Sequence, residues 1–377
     1  MPLKVCYIIS LVHKANIFEW VAEELSPEKF SQVYILLHHE ETEFEKNLRQ
    51  KGLRVYRINY RSKKNILSAI FGMVRILRRE KPAIVHTHLF EAGVAGQIAA
   101  RMAFVPRRIH TRHDATVHHD YYPNGVKYDK LTNRLATDVI AITDSVKKIL
   151  MELEQVPERK ITVLHHGFRL NEFEEVNDAA VNELKQHYFP QGKPAQVVGV
   201  ISRYMHWKGI QYTIDAFAQL RKDFPQAHLV LANADGPYWK ELRQMLRQLP
   251  ENSYTEIKFE SRIFALYRLF DVFVHVPIDG RSEAFGQIYV EAMASGVPCV
   301  VTLSGIAHDY IRHGVNASVV PYKNSIAIAE AVKTLLLDKT HCAALTAQAR
   351  RDVDPAFTIR THVNALEKLY LRGTNLQ

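Results

Sequence analysis

The sequence predicts an α/β protein of two domains in series, each a doubly wound parallel sheet covered by helices. Three observations predict it. The chain has 377 residues, enough for two domains of roughly 100–200 residues each. Strand-like apolar runs alternate with helix-period segments along most of its length, the pattern of a parallel sheet with helical crossovers. The alternation lapses once, in a polar stretch over 171–194, and then restarts.

The first series opens with the apolar run Val5–Ile9, read as a strand, followed by a helix over Phe18–Leu25. Val33–Leu37 is a strand, Glu41–Lys51 a helix and Val55–Ile58 a strand. Lys64–Arg79 has helical periodicity, with Arg75, Arg78 and Arg79 near its C-terminal end, where cations suit the helix dipole. Strands follow at Ile84–His86, Arg108–His113, Val139–Ile142 and Ile161–Leu164. Helices lie between them near Glu91–Phe104, Lys127–Ala136 and Asp144–Leu153. The segment 171–194 is first acidic and then closes on Phe189-Pro190-Gln191-Gly192-Lys193-Pro194, which signals a linker. The second series places strands at Val197–Ile201, His228–Ala232, Ile257–Phe259, Val272–Val276, Cys299–Thr302 and Ser318–Val320. Its helices are Gly209–Phe224, Pro237–Leu249, Ile263–Phe270 and Ala284–Ala294, and three more close the chain at Ser325–Leu337, Cys342–Val353 and Ile359–Leu371. Residues 1–170 are thus expected as the first domain and 195–356 as the second, with a ligand cleft between them. In such sheets ligands sit beyond the carboxyl ends of the strands.

Composition narrows the function classes. No apolar run reaches the ~18 residues of a membrane span. The N-terminus leads directly into a strand, with no basic region and apolar stretch ahead of a cleavage site, so a cytoplasmic location is expected. Cys6, Cys299 and Cys342 offer neither a disulfide framework nor metal-ligand spacing. The net charge of +9 is carried by the first 170 residues, which hold 27 Lys and Arg against 18 Asp and Glu. That excess suits an anionic partner, but no nucleic-acid recognition motif accompanies it.

Three constellations carry chemistry. In Ser282-Glu283-Ala284-Phe285-Gly286-Gln287-Ile288-Tyr289-Val290-Glu291 a loop leads into a helix that stops at Gly296-Val297-Pro298. Read on one helix, Glu283 and Glu291 would be about 12 Å apart. The free N–H groups around Gly286–Ile288 could accept a pyrophosphate, and each carboxylate could accept hydrogen bonds from a sugar diol. In Ser202-Arg203-Tyr204-Met205-His206-Trp207-Lys208-Gly209, two cations follow a strand, where they could neutralise a departing diphosphate. The third is a histidine-rich set: His86 and His88 after one strand, then His110, His113, His118 and His119. His113 could stabilise charge at a reacting centre. The only Asp-x-Asp, Asp352-Val353-Asp354, ends a late helix and reads as a solvated helix end rather than a Mg²⁺ site.

These motifs resemble glycosyltransferase family 4, the retaining group 1 type with the GT-B fold: two Rossmann-like domains facing across a cleft. The resemblance spans nearly the whole chain. It implies an N-terminal acceptor-binding domain, on which the final helix within 357–377 packs back, and a C-terminal nucleotide-sugar-binding domain. It implies that Glu283 meets the transferred sugar and Glu291 the ribose. It places Ser202, Arg203, Lys208, Phe285, Gly286, Gln287 and Ile288 around the donor, and His113 beside its sugar and phosphate; His113 and Glu283 are the expected catalytic pair. Two stretches depart from the pattern. Ser10-Leu11-Val12-His13-Lys14-Ala15-Asn16 stands where many members have paired glycines. Asn233-Ala234-Asp235-Gly236-Pro237 replaces the usual Gly-Asp-Gly-Pro.

The expected activity is sugar transfer, with retention, from a UDP- or GDP-type sugar to a glycan or lipid-linked acceptor, in cell-envelope polysaccharide or glycolipid synthesis. No cofactor or metal is expected. The basic residues Arg57, Arg61, Lys63, Lys64, Arg75, Arg78, Arg79, Arg107 and Arg108 could also meet an anionic membrane at its inner face. A non-catalytic nucleotide-sugar-binding protein and a sugar-nucleotide epimerase of the same fold are the alternatives. The first would bind donor without turnover, the second would act without acceptor.

Overall fold

Thirteen short strands, all paired in parallel, form two separate sheets in the computed structural model, which describes residues 1–354 and 356–373. The chain divides into two compact units. One comprises Met1–Phe168 and the chain from Ile359 onward; the other is Arg169–Thr358.

The first sheet contains β1 (Leu3–Ser10), β2 (Phe30–Leu37), β3 (Arg54–Ile58), β4 (Ile84–His88), β5 (Arg107–Arg112), β6 (Asp138–Ala141) and β7 (Ile161–Val163), in the order β3-β2-β1-β4-β5-β6-β7. β1 reads as an unbroken apolar run because both its faces are covered. One face, with Cys6, Ile8, Val33, Ile35 and Val85, packs on the helices Ile66–Glu80 and Phe90–Met102. The last helix, Ile359–Leu371, belongs to this unit. Tyr370 Oη donates to Tyr7 Oη at 3.0 Å and lies 2.6 Å from His86 Nδ1. Glu367 accepts from Ser26 N at 2.9 Å and pairs with Lys29 at 3.2 Å. Arg107 donates to the Tyr370 carbonyl. The end of the predicted segment, 374–377, lies outside the described residues.

The second sheet contains β8 (Val197–Ile201), β9 (His228–Ala232), β10 (Tyr254–Ile257), β11 (Val272–His275), β12 (Cys299–Val301) and β13 (Ser318–Val319), in the order β10-β9-β8-β11-β12-β13. The order reverses between β8 and β11, which opens a crevice at their carboxyl ends. β10 stops before the predicted Phe259, which is 74% exposed and has no sheet to enter.

The stretch expected as a linker is instead structured and belongs to the second unit. It forms the helices Asn171–Glu174 and Asp178–Tyr188. The Asn177 side chain caps the second of these by accepting from Ala179 N. Phe173 and Leu184 are buried, and Phe173 packs edge-on against Phe264 at 4.4 Å between centroids. These few anchors are too sparse to register as an amphipathic pattern.

All three cysteines are free, with Cys6 and Cys299 buried as small core residues. No helix among the described residues is long and apolar enough to cross a membrane.

Candidate active site

The donor-type residues of the second unit gather at the carboxyl ends of β8, β11 and β12. β8 ends at Ile201, and the loop that follows carries Ser202, Arg203 and Lys208. Lys208 closes a single 3-10 turn, His206–Lys208, and Gly209 follows with a φ of 74°. That left-handed conformation favours glycine. A Cβ at Gly209 would also overlap the Val276 carbonyl oxygen. Ile278 N donates to Trp207 O at 3.0 Å, so the loop after β8 is sewn to the loop after β11.

Glu283 lies in the loop after β11 and is buried. Its Oε1 accepts from Lys208 Nζ at 2.5 Å and from His275 Nε2 at 2.9 Å. His275 ends β11. Its Nδ1 is buried without a partner, the pattern of a neutral ring whose Nε2–H donates to the carboxylate. Burial alone would raise the Glu283 carboxyl, but the Lys208 charge and the His275 hydrogen bond outweigh it and hold the group down to about 2. Oε2 has no partner among the described residues, which leaves it open to a ligand hydroxyl. The Glu283 backbone is fixed too, its N–H donating to Ser304 Oγ at 3.0 Å.

The helix expected over Ala284–Ala294 begins only at Gln287. Glu283 therefore does not share a helix with Glu291, and the 12 Å estimate lapses. The cause is local. Gly286 takes a φ of 82°, and Phe285 O accepts from Ile306 N at 2.9 Å, which binds residues 283–286 to the turn after β12. Gly305 makes this approach feasible: a Cβ there would lie 2.6 Å from Phe285 O and 2.9 Å from Glu283 Cβ. With a φ of 57°, Gly305 packs directly against the glutamate loop. Gln287 is exposed, Ile288 half-buried and Phe285 buried. The N–H groups of Gly286, Gln287 and Ile288 donate to nothing among the described residues, as expected where a helix starts.

Glu291 sits within that helix, half-buried. Tyr267 Oη donates to its Oε2 at 2.9 Å, and no cation pairs with it among the described residues. Burial pushes its carboxyl up to about 7, against the pull of the Tyr267 bond. Two glutamates eight positions apart thus sit in opposite electrostatic settings.

Arg203 is exposed and makes no ion pair among the described residues. Ser202 is buried, its N–H donating to Ala232 O. The departing Asn233–Pro237 stretch retains Gly236 where it touches this loop: Tyr204 N donates to Asp235 O at 2.9 Å, and a Cβ on Gly236 would sit 2.5 Å from Tyr204 O.

In the first unit, His113 follows β5 and lines a cavity with Tyr7, Phe18, His86, His88, His166 and His362. Its Nε2 lies 3.1 Å from His88 Nδ1, and its ring stacks on His166 at 5.4 Å. Burial, with help from His362 and Arg112, lowers His113 to about 4, so the ring is neutral at pH 7. His118 and His119 are occupied elsewhere. They bond Asp129 and Glu154, the two carboxylates that hold the buried Arg112. After β1, Leu11 takes a φ of 55°, a left-handed turn made without the glycines the family favours there.

Asp352 is not the solvated helix end expected. Its carboxylate accepts from Arg312, Asn316 and Gln348, so it is committed to the structure. Among the described residues, His13, His38 and Glu40 alone bring at least three ligand atoms within 4.8 Å of one another. They stand in the loops after β1 and β2, whereas the glutamate loop belongs to the second unit. Sequence reasoning missed His275; the one visible signal was a histidine closing an otherwise apolar strand.

Residues 183–352 match the family described as glycosyl transferases group 1, and residues 21–172 match Glycosyltransferase Family 4. The chain is 27% identical over 315 residues to the capsular polysaccharide biosynthesis glycosyltransferase CapM of Staphylococcus aureus, covering 81% of this chain and 80% of that protein. It is 22% identical over 322 residues to the UDP-Gal:alpha-D-GlcNAc-diphosphoundecaprenol alpha-1,3-galactosyltransferase of Escherichia coli, covering 81% and 79%. HepE of Anabaena, solved with UDP-glucose, shares the fold with a TM-score of 0.82 at 22% identity, over 98% of this chain and 99% of that one. The two matched segments together take in most of the sequence, and the chain belongs to the group 1, family 4 glycosyltransferases, enzymes that transfer sugars.

Proposed function

We propose that this enzyme moves a sugar, with retention, from a uridine- or guanosine-diphosphate sugar held by the second unit to a glycan or lipid-linked acceptor bound on the first. The observation that carries the donor reading is the Lys208–Glu283–His275 cluster at the reversal point of the sheet, beside the free N–H groups at Gly286–Ile288. The diphosphate lies over those N–H groups, with Arg203 and Lys208 neutralising it. Glu283 takes hydroxyls of the transferred sugar on Oε2, and Glu291 takes the ribose diol. No bound metal is required, because the cations and helix N-terminus supply the positive charge.

Transfer proceeds by front-face displacement. The acceptor hydroxyl oxygen bonds to the anomeric carbon as the bond to the diphosphate oxygen breaks, and the hydroxyl proton passes to the departing phosphate. His113, neutral at pH 7, serves as a hydrogen-bond partner rather than a fixed charge. A setting in cell-envelope polysaccharide or glycolipid synthesis is supported by the relatives' own named roles in capsule and diphosphoundecaprenol-linked sugar assembly.

A thermal-shift screen against UDP, GDP, ADP and their sugars, repeated with Glu291→Ala, tests the donor reading. Stabilisation by one nucleotide that the variant loses is the expected result and names the base. No shift with any nucleotide overturns it.

A further inference from the structure

The loops after β1 and β2 bring two histidines and a glutamate together at the carboxyl edge of the first sheet, the edge where such sheets take ligands. Leu11 N donates to Leu37 O at 3.1 Å, so the two strand ends stay tied as they leave the sheet. His13 follows in the glycine-free stretch Ser10–Asn16. Its carbonyl accepts from Phe44 N at 2.9 Å, which anchors it to the start of the helix Glu43–Gln50. His38 comes directly after β2 and is buried. Its N–H donates to Ile58 O at 3.1 Å and its carbonyl accepts from Tyr60 N at 3.4 Å, so the chain after β3 holds its backbone. Glu40 lies two residues further on.

The side chains converge. The His13 and His38 rings meet edge-on, 4.6 Å between centroids. His13 Nε2 lies 3.9 Å from Glu40 Oε1. His39 stacks on His38 at 4.9 Å, and its Nε2 lies 3.9 Å from the other Glu40 oxygen. The nearby lysines are engaged elsewhere: Lys14 pairs with Glu43 at 2.7 Å and Lys46 with Glu41 at 3.8 Å. Glu40 therefore faces imidazoles and, among the described residues, no lysine or arginine. His38 Nδ1 lies 3.1 Å from the Glu40 carbonyl oxygen and 3.2 Å from Glu40 N, while its Nε2 has no hydrogen bond among the described residues. A ring that donates its Nδ1–H to a backbone carbonyl keeps a bare Nε2, the state of a metal-ligating histidine.

We propose that His13 Nε2, His38 Nε2 and a Glu40 carboxylate oxygen bind one divalent ion of the zinc class. Two imidazole nitrogens and one carboxylate suit zinc, whereas calcium and magnesium favour oxygen ligands alone. Zinc bonds of about 2.0–2.2 Å put tetrahedral neighbours roughly 3.3–3.5 Å apart. The three ligand atoms already lie within 4.8 Å of one another. His13 and Glu40 are exposed and free to swing inward onto the buried, fixed His38. The ion cross-links the loops after β1 and β2, and three protein ligands leave it one open position, filled by water. None of these residues serves the donor reading, so the two stand or fall separately.

The full chain, without an affinity tag and stripped with a chelator, is titrated with Zn²⁺ against a colorimetric zinc indicator, and with Co²⁺ as a spectroscopic probe. One ion per chain held well above the background of surface histidines is expected, with the visible spectrum of tetrahedral Co²⁺. The exposed substitutions His13→Ala and Glu40→Gln should each weaken Zn²⁺ binding about tenfold or more and abolish that spectrum. His187→Ala, an exposed histidine of the second unit, should leave both unchanged. Zn²⁺ should raise the melting temperature of the parent chain, as a ligand of the folded state does, and the two site variants should lose that rise. The nucleotide-induced thermal shift should persist in the stripped chain and in both variants, which shows that they fold and separates this proposal from the donor reading. Zn²⁺ binding no stronger than the background overturns the proposal, as does binding that both variants retain. A pale octahedral Co²⁺ spectrum overturns it too.

Discussion

Lys208 Nζ and His275 Nε2 converge on one oxygen of Glu283, at 2.5 and 2.9 Å, and leave its other oxygen free. One cation and one neutral donor keep a buried carboxylate charged. Removing the cation strands that charge. Lys208→Ala should raise the Glu283 carboxyl, cost about 2–4 kcal/mol of stability and lower kcat by at least about a hundredfold. Denaturant unfolding and steady-state kinetics read the two effects. Near-normal turnover would remove Lys208 from the chemistry.

Glu291 lies near neutrality in the free protein, raised to about 7 by burial. Ribose hydroxyls donating to it favour the carboxylate, so nucleotide binding should expel a proton below pH 7. Affinity should then rise from pH 6 to pH 7.5, approaching tenfold per pH unit well below the group's pKa. Calorimetry in two buffers of different ionisation heat counts the proton. A Kd flat across this range, with no proton released, contradicts the assignment.

The histidines of the first unit make it acid-labile. Burial holds His110 at about 3 and His113 and His362 at about 4, against an ordinary value of 6.5. The unfolded chain binds protons that the folded unit refuses between those limits. The stability is therefore intact above about pH 6.5 and is lost as pH falls toward 4. Unfolding midpoints at pH 7.5, 6 and 5 should fall steadily. Substituting His110 and His362 with asparagine should flatten the decline, whereas an unaltered slope would put its origin elsewhere.

Gly305→Ala should disturb the site without touching a ligand. The new Cβ would press on Phe285 O at 2.6 Å from a left-handed backbone position, costing about 1–3 kcal/mol. The displaced 283–286 loop should weaken nucleotide binding by about tenfold. If stability falls while binding is untouched, the loop is not held by this contact.

His113→Ala tests the first unit's share in the chemistry. Turnover should fall by about tenfold or more, while the nucleotide-induced thermal shift stays as in the parent protein. Equal loss of both would make His113 a structural member of its cavity.

What the sequence made legible depended on where the forces are local. β8, β9 and the helices Ser325–Leu337 and Ile359–Leu371 match their predicted limits, because continuous apolar runs and helical periodicity end at clear polar boundaries. The paired glutamates and the Arg203–Lys208 loop were visible as spacing. The late start of the Glu291 helix was not: it follows from the contact between Phe285 and Ile306, residues brought together only by the sheet. His275 was hidden for a related reason, since a histidine at the end of Val272-Phe273-Val274 looks like any strand residue until Glu283 is placed beside it. Charge could be counted but not sorted, because Arg57 and Arg107 find their carboxylates on other elements, whereas Arg75 and Arg101 find none.

The chain leaves the first unit after Phe168 and returns to it only at Ile359, with Tyr370 completing a hydroxyl chain to Tyr7 and His86. This return sets an order of assembly. As the ribosome delivers the chain, the second unit emerges as one uninterrupted stretch and can close while synthesis continues. The seven-stranded sheet, begun first, must wait with the face that takes the last helix uncovered until the final residues appear. The half that starts earliest is completed last, so a stop placed directly after residue 358 should yield a folded second unit attached to an unfinished first.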